Sequence, residues 1–235
     1  MNRRLRSKRP PARYGADVAI AFFDLDVTIL SANSGKLWIR RELALGHLSR
    51  RTALQAAIWL TQYQLGLGPL RLVGRAIASS QGMKASELIT RTKSFYERQV
   101  RPLFRPGALE ALKTHRAAGD KVVLLTASSH FIAEHVARDL ELDGFLCNRM
   151  EVDLRGLLTG RTVGPICFGP GKLTHARDEA RAQGVELGRC SFYTDSFSDV
   201  ATLEAVGRPV AVNPDPRLRR RAIKRGWEIV DWGMP

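Results

Sequence analysis

Asp24-Leu25-Asp26-Val27-Thr28 places two carboxylates two residues apart, directly after an apolar run over residues 18–23. One carboxylate of such a pair can act as a nucleophile or bind a cation, while the other moves a proton. Further along the chain come Thr126, Lys172 and Asp195-Ser196-Phe197-Ser198-Asp199. A hydroxyl and an ammonium are suited to phosphoryl oxygens, and an acidic cluster is suited to magnesium, which prefers oxygen ligands. In this order the four segments supply what phosphoryl transfer through an aspartyl-phosphate requires.

Each group follows an element able to aim it. Residues 121–125 read Lys-Val-Val-Leu-Leu and run into Thr126, so the first two motifs are expected at the carboxyl ends of buried strands, where open α/β sheets bind ligands. Lys172 follows Gly169-Pro170-Gly171 at a predicted helix start. A lysine there opposes the favourable charge pattern of a helix N-terminus and suggests an anionic neighbour. The segment is not a P-loop, since Ile166 and Leu173 stand where glycine and Ser/Thr are required. Taken singly, each motif also has a plain structural reading: Asp and Thr bond their own backbone in turns, and Asp195 or Asp199 could cap a helix.

The chain of 235 residues is long enough for one α/β domain carrying an insertion. The expected organisation is a basic disordered tail over residues 1–16, an α/β core over 17–34 and 103–235, and a helical cap over 35–102. In the cap region Trp38, Trp59, Tyr63 and several leucines are spread among Arg40, Arg41, Arg71 and other polar residues at helical spacing. Residues 31–35 and 101–107 flank it as paired linkers, and residues 151–163, with Arg155-Gly156 in the middle, read as a hairpin.

Composition excludes several classes. Cys147, Cys167 and Cys190 have neither CxxC nor Cys-x5-Arg spacing, which points to reduced thiols, not a disulfide framework, a zinc site or a cysteine phosphatase. No window reaches the roughly 18 apolar residues of a membrane span, and no apolar stretch follows the basic start. A cytoplasmic location is therefore expected. The net charge of +14 favours anionic substrates and weak contact with an anionic membrane surface. Nucleic acid is the less expected partner, because neither basic end interleaves aromatics.

The four motifs and their order resemble the haloacid dehalogenase superfamily, and within it the phosphoserine-phosphatase-like branch (subfamily IB), whose helical cap lies between the first two motifs. The resemblance spans residues 18–232 and implies a Rossmann-like parallel sheet flanked by helices, with an inserted all-helical cap. It implies Asp24 as nucleophile and Asp26 as acid and base, with Thr126, Ala127 and Lys172 on the phosphate. It also implies Mg2+ held by Asp24, Asp26 and Asp195, with Asp199 behind them. The implied activity is a magnesium-dependent phosphomonoesterase acting on a small or amphiphilic organic phosphate, a lipid-headgroup phosphate included. Val27 occupies a position that is often Gly or Ser in the family. Phosphoserine-specific members carry a glutamate shortly after the first motif; here the stretch reads Asn33-Ser34-Gly35-Lys36, without an acid. A signalling receiver domain is set aside by motif order, since its acidic pair comes first and its lysine last. The remaining alternative is a non-enzymatic basic protein that binds anionic lipid or nucleic acid with a vestigial pocket.

Overall fold

The computed structural model describes residues 19–47, 49, 51, 54 and 70–235. The expected basic tail, the cap residues Trp59 and Tyr63, and the Arg71 side chain lie outside the described residues.

Five apolar or largely apolar segments and one edge segment form a parallel sheet in the order β3-β2-β1-β6-β7-β8. Its strands are β1 (Ile20–Phe23), β2 (Lys121–Ser129), β3 (Gly144–Asn148), β6 (Ser191–Thr194), β7 (Arg208–Val212) and β8 (Glu228–Val230). β1 and β6, at the centre, are buried throughout, as a parallel sheet covered on both faces demands. The chain order reverses between β1 and β6, so the carboxyl ends of these neighbours border a natural ligand crevice. The helices α4 (Pro106–Ala117), α5 (His130–Asp139), α6 (Pro170–Ala182), the short α7 (Val200–Leu203) and α8 (Pro216–Arg225) cover the sheet. Their limits follow local chemistry. Asp215 accepts from the Arg217 and Leu218 N–H groups to start α8, Pro216 sits in its first turn, and Gly226 ends it in the left-handed region.

One expectation changes in detail. β2 does not stop at Thr126 but continues to Ser129, with a register irregularity against β3 between Leu125 and Ser129. Thr126 therefore lies inside the strand, where that irregularity begins. On α4, Ala108 and Leu112 are buried and Leu109 is exposed.

Between β1 and α4 run α1 (Ser34–Ala44), α2 (Leu70–Ala78) and α3 (Ala85–Phe95). The two connections flanking this region are joined by backbone bonds: Ser31 N–H to the Leu103 carbonyl and Arg105 N–H to the Ile29 carbonyl, both 2.9 Å. The hairpin β4 (Met150–Val152) and β5 (Leu158–Thr162) pairs with the α2–α3 loop: Leu158 N–H reaches the Met83 carbonyl and Gly82 N–H the Leu158 carbonyl, each at 2.8 Å. A segment the sequence places in the core thus supports the inserted helices.

A buried polar chain lies beneath the central strands. His115 Nδ1–H donates to Asp120 Oδ2 at 2.6 Å, and Nε2 accepts from the Tyr193 hydroxyl at 2.8 Å. The Tyr193 ring stacks on Phe23 at 4.5 Å, immediately before the acidic motifs. Burial pulls His115 below its ordinary pKa of 6.5 and keeps it neutral in the fold. As pH falls below 6.5 the unfolded chain takes up this proton first, so wild-type stability falls with it. His115→Ala should cost about 1–3 kcal/mol at pH 7.5 by orphaning Asp120 and Tyr193. Urea unfolding at pH 7.5 and 5.5 should show a smaller cost at the lower pH.

Candidate active site

Asp24 closes β1, and its N–H donates to the Tyr193 carbonyl of β6 at 2.9 Å. Its Oδ1 accepts from the Leu25 N–H at 2.8 Å and lies 2.9 Å from Lys172 Nζ. Lys172, in the first turn of α6, is only 1% exposed, and its ammonium also reaches Asp199 Oδ2 at 2.8 Å. The Thr194 hydroxyl donates to that same Asp199 oxygen at 2.7 Å. Asp26 Oδ1 accepts from the Ser34 N–H at 2.6 Å, and its Oδ2 from the Ser128 hydroxyl at 3.1 Å. Asp195 donates its N–H to Thr28 Oγ1 at 3.0 Å, and its Oδ1 lies 3.2 Å from that hydroxyl. Thr126 Oγ1 accepts from the Ser128 N–H at 3.1 Å, and the Ala127 carbonyl holds Asn148. The motif residues Asp24, Asp26, Thr126, Ala127, Lys172, Asp195 and Asp199 therefore lie in or just past the carboxyl ends of β1, β2 and β6 or at the start of α6.

The electrostatics are lopsided. Asp24, Asp26, Asp195 and Asp199 crowd together around the ammonium of Lys172, and loss of water pushes Asp24 up to about 7, with Lys172 opposing the rise. Withdrawal from water also raises Asp26, against bonds from Ser34 and Ser128, and raises Asp195 well above 3.8. Such a surplus of buried negative charge calls for a cation. Among the described residues no three His, Cys, Asp or Glu side chains form a complete metal cage. Magnesium does not need one, because one or two carboxylates with carbonyl, water and phosphate oxygens suffice. Asp24 and Asp195 fit that donor set.

Thr28, Ser34, Ser128 and Thr194 were not singled out by sequence reasoning. Thr28 had a signal, since it lies within the first motif, but Ser34 and Ser128 are brought to Asp26 by tertiary folding alone. Val27 holds a left-handed backbone at φ 61° in the tight turn Leu25–Ile29, which is strained for a β-branched side chain. Val27→Gly should release roughly 1–3 kcal/mol of strain, offset by about 0.5–1 kcal/mol of extra unfolded-chain entropy. A net gain near ~1 kcal/mol is expected in chemical unfolding.

The close approach of α6 to the preceding loop depends on Gly171. A Cβ there would run into the Ile166 carbonyl oxygen, so only glycine lets Lys172 enter the site from this direction.

A model of haloacid dehalogenase-like hydrolases matches residues 21–204. The chain belongs to that family. Among haloacid dehalogenase relatives, the phosphoserine phosphatase SerB1 of Mycobacterium tuberculosis is 36% identical over 236 residues, covering 95% of this chain and 76% of that protein. A crystal structure of a Bordetella pertussis protein of unknown function is 28% identical, with a TM-score of 0.82, covering 92% of this chain and all of that one. A structure of a phospho-aspartyl intermediate analogue of phosphoserine phosphatase shares the fold at a TM-score of 0.70 and 18% identity, covering 92% and 94% of the two chains. The expected Rossmann-like haloacid dehalogenase fold, in its phosphoserine-phosphatase-like form, is thus the one found. Among the described residues no helix is long and apolar enough to cross a membrane.

Proposed function

We propose that this chain is a magnesium-dependent phosphomonoesterase that works through an aspartyl-phosphate on Asp24. The observation that carries this reading is Lys172. Its buried ammonium bridges Asp24 and Asp199 at 2.9 and 2.8 Å, beside the nucleophile and where a phosphoryl group would need charge.

In the first step an Asp24 carboxylate oxygen bonds to phosphorus while the ester P–O bond breaks. Asp26 gives its proton to the departing oxygen, and its raised pKa suits that role. Asp26 then takes a proton from water as the water oxygen attacks phosphorus, and the P–O bond to Asp24 breaks to release phosphate. Ser34 and Ser128 hold the Asp26 carboxylate toward the crevice throughout. Lys172, the Thr126 hydroxyl and the Ala127 backbone bind the phosphoryl oxygens, and Asp199 fixes the Lys172 ammonium. Magnesium, held by the Asp24 and Asp195 side chains with the Asp26 carbonyl, would neutralise phosphoryl charge.

The substrate proposed is a small or amphiphilic organic phosphate. The stretch Asn33-Ser34-Gly35-Lys36 lacks the acid that phosphoserine-specific relatives carry shortly after the first motif, and Asn33 is used here to cap α1 by accepting from the Lys36 N–H at 3.0 Å. Phosphoserine is therefore not expected to be preferred. Phosphate release should be measured on phosphoserine, sugar phosphates, nucleotides and lysophosphatidate, with magnesium and with EDTA. Turnover with magnesium that EDTA abolishes is the expected result. Release that ignores EDTA, or none on any ester, would refute the proposal.

A further inference from the structure

A cavity of about 740 Å³ opens from Asp26, Ser34 and Ser128 and extends between α1, α2, α3 and the β4–β5 hairpin. That volume falls in the range of roughly 300–1,000 Å³ typical of pockets for drug-sized ligands, so it exceeds the needs of a serine leaving group. Along α1 the residues Ser34, Trp38 and Glu42 are spaced i, i+4, i+8 and all line the cavity. Ser34 touches Asp26, and Glu42 lies eight residues further along the helix, roughly 12 Å away at 1.5 Å per residue. Much of the intervening wall is apolar, with Trp38, Val73, Phe95, Phe131 and Leu158 among its members, while Arg75 and Thr92 also line the cavity.

The distal end is charged. Glu42, 1% exposed, binds Arg41 Nη1 through Oε1 at 2.8 Å and His47 Nδ1 through Oε2 at 3.2 Å, and pairs with Arg91 through the same Oε2. Both guanidiniums lie 5.6 Å from the Trp38 ring centroid. Among the described residues one buried carboxylate therefore answers two arginines, leaving a positive surplus. Among the described residues the buried Arg91 Nε has no acceptor, and Arg91 lines the cavity. Burial, with Arg41 nearby, draws its pKa below the ordinary guanidinium value, as an under-neutralised cation should show. Among the described residues both Glu42 oxygens are already engaged and no other carboxylate lines the distal end, so an ammonium has no vacant carboxylate to dock on.

The geometry points to a leaving group with an apolar body and an anionic distal end, which is received by Arg91, whose guanidinium Glu42 orients. This rests on the phosphatase reading above and adds to it the class of alcohol released. Arg91 is the specificity-determining residue; Glu42 and Arg41 are positioning residues that fix its guanidinium against Trp38.

Three eight-carbon probes test the inference: octyl phosphate, its ω-carboxylate and its ω-amine. The ω-carboxylate should show a kcat/KM at least tenfold above the other two, and Arg91→Gln should collapse that ratio towards one. Arg91→Lys, which keeps a charge but not the fork, should retain part of the preference. A melting curve shows whether each variant is folded. Calorimetry with the product alcohols alone, 8-hydroxyoctanoate against 1-octanol and 8-amino-1-octanol, reads the same preference without turnover. Turnover of all three phosphates at equal efficiency, or a preference for the plain alkyl or amine chain, overturns the inference and leaves the phosphatase reading intact. Selective binding of 8-hydroxyoctanoate without hydrolysis of any phosphate supports the pocket assignment and overturns the phosphatase reading. A ratio unchanged in folded Arg91→Gln assigns the preference elsewhere and refutes the role of Arg91.

Discussion

Asp24→Asn should abolish phosphate release, lowering kcat by about 10⁴-fold or more, while the protein remains folded. The amide keeps the shape of the carboxylate but cannot attack phosphorus. The same change should raise, not lower, stability in EDTA. Asp24 is pushed from 3.8 to about 7 chiefly by burial, so the fold prefers it protonated. Above 3.8 the unfolded chain ionises this carboxyl while the fold resists, and stability falls as pH rises to about 7. The variant escapes that loss. Its advantage in thermal melts should therefore be largest near pH 8 and fade towards pH 4. Magnesium should stabilise the wild type at pH 8, and the variant less. Normal turnover by Asp24→Asn would remove Asp24 as nucleophile; a collapsed fold would mean that its contacts to Leu25 and Lys172 matter more than its charge.

Lys172→Met is the second large effect, and it runs the other way. The side chain is apolar and of similar length, but it leaves Asp24 and Asp199 buried without the ammonium that lies 2.9 and 2.8 Å from them. Removing one partner of a buried ion pair typically costs about 3–5 kcal/mol. Part of that cost is avoided where Asp24, pushed up to about 7, takes up a proton. The loss should accordingly be full at pH 8 and smaller at pH 5.5, because a protonated Asp24 needs no counter-charge. Turnover should fall at least ~10²–10³-fold, the scale of losing one preorganised group that stabilises transition-state charge. Denaturant titrations at the two pH values separate this from a packing defect, whose cost would not change with pH. Lys172→Arg should recover stability better than activity, since the larger planar group cannot occupy the same point between the two aspartates.

Much of this was legible in the sequence because the informative groups are local to short elements. The apolar run into Asp24, the residues 121–125 before Thr126, and Gly169-Pro170-Gly171 before Lys172 each tie a reactive side chain to a strand end or helix start. Period and position along an element are set by backbone geometry, so these placements could be read in one dimension. Contacts between distant segments could not. Ser128 reaches Asp26 across 102 positions and Thr28 reaches Asp195 across 167, and only the sheet order β2-β1-β6 brings them together. The Val27 strain is likewise a property of the folded turn, not of the motif's composition. The distal cavity is the largest addition. Glu42, Arg41 and Arg91 look like solvated helix charges in the sequence, and only the packing of α1 against α3 buries Glu42 among two arginines. Charge placed on helices says little until tertiary structure decides which faces lose water, because desolvation is what turns an ordinary surface ion into a selective one.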